Sequence, residues 1–277
     1  MDSIAGGGAV TTRTPRVARA RRLLRRKHRD EDGRFLAEGP QAVREALAAG
    51  VVTELFYEPG RGPSVQALAD QAEAAGLRTT AAGEQVLAAL TETVTPQGIV
   101  AVCRQVHVDL AVALGRQPSL VVVLAGIADP GNAGTILRTA DAAGATAVIF
   151  PDATVDPYNG KCVRASAGSI FHVDLVRGGE PRAVVAALRE AGLRVLAADA
   201  HGTTDLDEFT AAGGLAARTG WLFGSEAHGL PEDLAAQADA RVRVPMHGRA
   251  ESLNLAAAAA VCLYSSARAQ HASGAPR

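Results

Sequence analysis

The spacing of apolar and polar positions divides the 277-residue chain into two halves of different rhythm. After a basic opening stretch, Phe35-Leu-Ala-Glu-Gly39 reads as a short strand. Pro40 to Ala49 reads as a helix with proline in its first turn and Gly50 as its stop. Val51 to Tyr57 is a β-branched and aromatic strand. Ser64 to Ala75 carries Val65, Leu68, Ala69 and Ala72 at helical spacing, with Gly76 behind it. Strands over 77–80 and 98–103 flank a helix around Glu84–Leu90, which completes a small alternating α/β unit. The second half alternates more regularly. Leu120 to Ala125 is a continuous apolar run, the mark of a strand buried on both faces of a parallel sheet. Further strands are expected over 147–150, 171–176, 193–198, 220–224 and 240–244. The intervening helices are expected over 131–143, 161–168 and 181–191, with one led by Pro231 and a long Ala-rich one over Ser252–Ala269. Five or six strands alternating with helices make an open α/β sheet, whose ligand site lies beyond the carboxyl ends of the strands.

Composition narrows this to two domains. A length of 277 residues with 48% hydrophobic content supports two real cores. The pattern predicts a lead-in over 1–12, a small α/β domain over 13–105, a linker over 106–118 and the larger domain over 119–277. No apolar run approaches the length of a bilayer span, and Met1–Thr12 lacks a signal-peptide core, so no membrane association is expected. Cys103, Cys162 and Cys262 stand far apart in apolar surroundings. They offer neither a disulfide framework nor metal-ligand spacing, which points to the reducing cytoplasm and to no metal.

Charge adds one asymmetry that the net value of −1 conceals. The first fifty residues are net basic and the remainder is net acidic. Arg13 to Arg29 is dense in arginine and contains no acid. That stretch reads either as a phosphate-binding stripe for RNA or as a solvated helix face in an Ala/Arg-rich protein.

Several chemistries are excluded by spacing. There is no Gly-x-Gly-x-x-Gly in the chain. Where Gly126/Gly131 and Gly224/Gly229 have P-loop spacing, Asn132-Ala133 and Leu230-Pro231 replace the required Lys-Ser/Thr. Arg164-Ala-Ser166-Ala-Gly168 lacks the first glycine of a nucleophile elbow. What remains is three polar, glycine-containing stretches, each at a strand end: Asn132-Ala-Gly134 with Arg138, Leu222-Phe-Gly-Ser-Glu-Ala-His-Gly-Leu230, and Val244-Pro-Met-His-Gly-Arg-Ala-Glu-Ser-Leu-Asn-Leu255. Methyl transfer from a sulfonium suits such a set. It needs no metal and no covalent intermediate, only an aligned donor and a way to draw a proton from a weakly acidic hydroxyl. Glycine-rich turns let backbone groups surround an adenosine closely.

In this order the three stretches resemble the signature motifs of the SpoU (TrmH-type) RNA ribose methyltransferases, over roughly residues 119–268. Phe35–Tyr57 is similar to the L30e-like RNA-binding domain that many members carry. Glu92-Thr-Val-Thr-Pro-Gln-Gly-Ile-Val-Ala101 resembles the family's junction before the linker. The resemblance implies a parallel sheet with a C-terminal trefoil knot, a rare exception among folds. It also implies S-adenosyl-L-methionine as cofactor, structured RNA as partner and a homodimer formed through the knotted domain. Carried over by motif position, Gly224, Val244 and Leu253 contact the cofactor, and Asn132, Arg138, Glu226, Ser252 and Asn254 form the polar active-site set. The second motif departs from the family in having Ala227-His228 where glycine and a variable residue are common.

Roles follow from residue chemistry. A guanidinium stays protonated in proteins, so Arg138 is read as an electrostatic stabiliser of the developing 2′-alkoxide and not as a literal base. Glu226 is expected to orient Arg138 or to balance the sulfonium charge. Asn132 could equally cap the helix from Ala133, and Ser252 begins the last helix, whereas Asn254 is harder to explain as a cap. His228 and His247 occupy variable loop positions and are read as surface histidines. Tyr158, Asn159, Lys161 and Arg164 either grip RNA by stacking and phosphate contact or form an ordinary exposed loop. The expected reaction is 2′-O-ribose methylation of RNA, with 23S rRNA ahead of tRNA as substrate. The alternative is a catalytically inactive RNA-binding protein.

Overall fold

The computed structural model describes residues 10–272, and they fall into two compact units. The lead-in expected over 1–12 lies outside the described residues as far as residue 9, and Val10 already packs against a hydrophobic core.

The first unit covers residues up to Gln105 together with Tyr158–Arg164. It opens with two short helices, α1 (Pro15–Arg22) and α2 (Arg26–Asp32), inside the arginine-rich stretch. Val17, Ala20 and Leu23 are buried there while the arginines between them face outward, so a three-residue apolar spacing suffices to seat a highly charged helix. Then follow β1 (Arg34–Glu38), α3 (Pro40–Ala48), β2 (Val52–Tyr57), α4 (Pro63–Ala74), β3 (Arg78–Ala81), α5 (Glu84–Leu90) and β4 (Ile99–Arg104). The four strands form a mixed sheet in the order β1-β4-β2-β3, with β4 antiparallel to both of its neighbours. Strand alternation sends Leu36, Phe56, Val100 and Val102 to the face covered by α1 and α5, where they meet Val17, Leu23, Val86 and Leu90.

The second unit comprises 106–157 and 165–277. The segment expected to be a linker contains a helix, α6 (Leu110–Gly115). Val108 bridges to Val176, and Ala113 is buried. Next come β5 (Leu120–Leu124), α7 (Pro130–Ala142), β6 (Ala147–Phe150), α8 (Gly160–Ala165, which belongs to the first unit in all but its last residue), β7 (Asp174–Arg177), α9 (Pro181–Glu190) and β8 (Arg194–Ala198). They are followed by β9 (Thr204–Asp205), α10 (Leu206–Ala211), β10 (Thr219–Phe223), α11 (Glu232–Ala235), β11 (Ala240–Arg243) and α12 (Leu255–Ala272). All seven strands of this sheet run parallel, in the order β7-β6-β5-β10-β8-β11-β9. Strands β5, β6 and β10 are buried at every position, as a sheet covered on both faces requires. One face meets Val184, Val185 and Leu188 of α9. On the other side α12 packs against α7 and β10, and Trp221 Nε1 donates to the buried Ser266 Oγ at 2.9 Å.

Some elements differ from the sequence expectation. Phe171–Val176 is not one strand: Ser169–Phe171 is a turn of 3-10 helix behind Gly168, which has φ +100°, and the strand begins at Asp174. The stretch 199–219 contains β9 and α10, which the apolar spacing does not predict. No helix among the described residues is long and apolar enough to cross a membrane.

Candidate active site

Strands β5 and β10 are neighbours, so the turns leaving their carboxyl ends meet. The turn after β5 leads into α7 through Asp129-Pro130. Pro130 takes the first helical position, where its missing N–H costs nothing, and the Asp129 carboxylate accepts from the Asn132 backbone N–H at 2.8 Å. Asp129 is therefore the cap of this helix. Asn132 lies inside the first turn and its side chain is free for other work, which corrects the reading of Asn132 as the cap.

The turn after β10 is a tight loop. Ser225 and Gly229 exchange two backbone hydrogen bonds, of 3.0 and 2.9 Å, and Gly224 lies directly beneath them. A Cβ on Gly224 would stand 2.2 Å from Gly229 C and from Leu230 N. The glycine is required here by close approach of backbone. The loop holds Glu226 over the start of α7. Its carboxylate accepts from Asn132 Nδ2 at 3.0 Å and, at longer range, from the N–H groups of Ala128 (3.3 Å) and Asp129 (3.4 Å). Burial opposes the charge on Glu226, but the hydrogen bonds from Asn132 and from backbone N–H groups outweigh it and hold the carboxyl below its usual range.

The third motif joins the same network. Asn254 Nδ2 donates to Asn132 Oδ1 at 3.3 Å, and Asn254 Oδ1 accepts from Ala256 N at 2.9 Å. A carboxylate can only accept, so Asn132 must turn its amide nitrogen to Glu226 and its oxygen to Asn254. The orientation of both amides is thereby set by Glu226 and by the N-terminus of α12. Asn254, not Ser252, caps α12, since Ala258 N donates to the Asn254 carbonyl. Ser252 stays outside the helix and exposed.

The remaining predicted residues divide clearly. Gly224 and Val244 directly follow β10 and β11, and Leu253 is 39% exposed in the loop between β11 and α12. Among the described residues, no backbone–backbone hydrogen bond is made within 245–253, which leaves the peptide groups there available to a ligand. Arg138 does not join the Asn132 cluster. It is exposed on α7, about 120° around the helix and roughly 9 Å along it from Asn132. No ion pair or hydrogen bond holds its guanidinium among the described residues. Glu226 therefore orients Asn132 and the β5–α7 turn, and not Arg138. His228 and His247 are exposed.

The Tyr158 stretch is not a free RNA grip. Tyr158 is 1% exposed with its ring 4.7 Å from Phe35, and Arg164 pairs with Glu38 at 2.9 Å, all within the first unit. Residues that sequence reasoning missed are Asp129 and the N–H groups of Ala128 and Asp129. The Asp-Pro pair ahead of a helical pattern was the signal that could have found the cap.

The arrangement offers an exposed guanidinium, a hydrogen-bonded polar network and loops with unpaired peptide groups, all in the unit built on the parallel sheet. The SpoU rRNA Methylase family model matches residues 119–264, and the MRM3-like substrate binding domain matches 14–101. The chain is 35% identical over 246 residues to the 23S rRNA (guanosine(2553)-2′-O)-methyltransferase RlmP of Bacillus subtilis, covering 88% of this chain and 92% of that protein. The AdoMet-bound rRNA methyltransferase from Sinorhizobium meliloti superposes with a TM-score of 0.80 at 34% identity, over 94% of this chain and 97% of that one. The SpoU methyltransferase AviRb from Streptomyces viridochromogenes, in complex with AdoMet, superposes with a TM-score of 0.81 at 31% identity, over 94% of this chain and 100% of that one. This chain belongs to the SpoU rRNA methylase family.

Proposed function

We propose that this chain transfers the methyl group of S-adenosyl-L-methionine to a ribose 2′-hydroxyl of 23S rRNA. The observation that carries the reading is the hydrogen-bonded chain Glu226–Asn132–Asn254, which ties three motifs separated by 94 and 122 residues at the carboxyl end of one parallel sheet. The names of the relatives, which act on rRNA, favour ribosomal RNA over tRNA.

The chain's own residues fit the cofactor. Gly224, Val244 and Leu253 would hold it, through the unpaired peptide groups of 245–253 and the apolar side chains of Val244 and Leu253. When bound, the sulfonium supplies an electrophilic methyl group with a neutral leaving group. The protein's tasks are to position the ribose and to steady negative charge on its 2′-oxygen. Arg138 performs the second as a preorganised cation. Asn132, Glu226 and Asn254 satisfy one another, so they fix the two loops that frame the cofactor. Ser252, exposed beside Leu253, is open to the substrate.

The domain reading is part of the proposal: residues 13–105 bind RNA as an L30e-like domain, 106–118 connect, and 119–277 carry methyl transfer. A trefoil knot over the segments following β10 and β11 is supported by family membership and by the insertion of β10 between β5 and β8. A homodimer is supported by the exposed stripe of Ala257, Val261, Tyr264 and Arg268 along α12, where Val261 and Tyr264 stay 40% and 48% exposed, and a cytoplasmic location by the three free, buried cysteines.

The test is incorporation of tritium from methyl-labelled S-adenosylmethionine into 23S rRNA transcribed in vitro, with a tRNA pool as a separate arm. Digestion to nucleosides should place the label in a 2′-O-methyl nucleoside from 23S rRNA. Cofactor binding with no label in that RNA would overturn the reading, and label in tRNA alone would move the substrate.

A further inference from the structure

The first unit carries a groove of about 200 Å³ that the methyl-transfer site does not use. Arg16, Arg19, Ala20 and Leu23 of the α1 region line one side. Arg34, Thr53, Glu54, Arg78 and Val102 line the other, with Asp32 at the end of α2. The sequence explains why they converge. Arg16, Arg19 and Leu23 recur at helical spacing on one side of α1. Glu54 is the register partner of both Val102 and Arg78, so these three sit side by side across the sheet. A β-bulge between Val52 and Glu54 interrupts β2 at this point, and bulges re-aim side chains.

Two observations mark the groove as built for a ligand. The first concerns its cations. Several exposed arginines elsewhere find acids, although Arg138 does not: Arg116 pairs with Asp174, Arg182 with Asp233 and Arg189 with Asp239. Among the described residues, Arg16, Arg19, Arg34 and Arg78 have no such partner, although Asp32 and Glu54 line the same groove. The second concerns Glu54, whose Oε1 is shielded from solvent and accepts no hydrogen bond. A buried acceptor without a donor is costly, and a ligand N–H or O–H would relieve it. A bare phosphate would be repelled by Glu54. A nucleotide answers both features, with phosphates for the guanidinium groups and a 2′-hydroxyl or a base N–H for the carboxylate.

We propose that this groove binds a single-stranded segment of the RNA substrate, its phosphates on Arg16, Arg19, Arg34 and Arg78 and one nucleotide donor on Glu54. A base edge free to donate to Glu54 is most accessible in an unpaired nucleotide, which favours a single strand over a duplex. The inference rests on the RNA substrate proposed above, and it names the face of the N-terminal unit that reads it.

The test uses the full chain and a fluorescein-labelled 12-nucleotide single-stranded RNA of mixed sequence. The Arg16→Gln/Arg34→Gln/Arg78→Gln protein is compared with Arg116→Gln/Arg182→Gln/Arg189→Gln, which loses the same charge from ion-paired positions. The groove variant should bind on the order of tenfold more weakly at 0.1 M salt. Its log Kd against log[salt] slope should be shallower by about 2, because each lost phosphate contact on a single strand removes about 0.7. On 23S rRNA its KM should rise with kcat unchanged, and S-adenosylmethionine affinity, which reports folding, should match wild type. Equal weakening in the two triple variants would overturn the groove in favour of bulk charge, as would wild-type affinity and slope in the groove variant. Tighter RNA binding by Glu54→Ala would overturn the acceptor role. The affinity and salt-slope readouts are binding measurements that need no methyl transfer. A wild-type protein that methylates no RNA refutes the proposed reaction and leaves the groove result legible by itself.

Discussion

Gly224→Ala is the sharpest test of how the fold sets the site. The added Cβ would meet Gly229 C and Leu230 N at 2.2 Å and Gly229 O at 2.4 Å. Carbon atoms rest at about 3.5 Å or more, so the 225–229 loop must retreat by about 1 Å or more. Its atoms are backbone, tied by the reciprocal Ser225–Gly229 bonds, and no side-chain rotation can absorb the overlap. Glu226 rides on this loop, and its contacts to Ala128 and Asp129 are already 3.3 and 3.4 Å, so an outward shift of that size breaks them. Overpacking of this kind costs about 1–3 kcal/mol of stability. A 1 Å displacement of groups that position substrate costs about 100-fold in kcat/KM. Gly229→Ala is the contrast: nothing lies within 4 Å of its Cβ, and only its φ of +67° resists, for about 1 kcal/mol. Tritium incorporation into 23S rRNA gives kcat/KM, calorimetric titration gives cofactor affinity, and thermal melting gives stability. Wild-type kcat/KM and cofactor affinity in Gly224→Ala would refute the idea that backbone closeness under this loop holds Glu226 and the cofactor frame in place.

Arg138→Ala should lower kcat by about 100- to 1000-fold, the usual loss of one charge-stabilising donor, with cofactor affinity and melting temperature unchanged because the guanidinium has no structural partner; single-turnover rates check it. Glu226 has a folded pKa below its unfolded value, so its charge contributes stability that is fully present above the unfolded value and lost as pH falls through the folded one. The stability difference between wild type and Glu226→Gln, read by urea unfolding, should therefore be flat from about pH 6 to 8 and should shrink below about pH 4. Ser266→Ala removes the acceptor of the buried Trp221 indole N–H and should cost about 1–3 kcal/mol by urea unfolding, with activity per folded molecule unchanged.

The parts of the fold that were legible are those where one physical rule dominates. Leu120–Leu124 reads as a buried parallel strand because five consecutive apolar residues have no polar face to offer water. Pro181 and Gly192 bracket α9 because one cannot continue a helix backwards and the other ends it cheaply. The misreadings arise where rules compete. Phe171–Val176 has strand-forming residues, but the positive φ at Gly168 starts a helical turn that consumes Phe171. Tyr158 reads with its polar neighbours in sequence, yet its ring is the apolar part and packs on Phe35. Capping was assigned from residue type near an expected helix start. The last helix starts at Leu255, three residues later than expected, so Asn254 and not Ser252 stands at the cap of α12.

The site was legible as a set of residues and not as a set of partners, and the difference bears on mechanism. Residue type and motif spacing identify Asn132, Glu226, Asn254 and Arg138, but only the neighbourhood of β5 and β10 brings the first two together. Once they meet, the acceptor-only chemistry of Glu226 fixes the Asn132 amide, which in turn engages Asn254, and the loop after β10 is tied to the two helices it faces. These three residues spend their hydrogen bonds on one another and on nearby backbone N–H groups. Arg138, on the same α7, spends none. A cation held on a rigid helix and left without an acid keeps its full charge for an incoming oxygen, and an exposed position keeps it open to RNA. The division of labour proposed here, with one arginine for the developing alkoxide and an Asn–Glu–Asn relay for the frame, follows from which groups are satisfied and which are not.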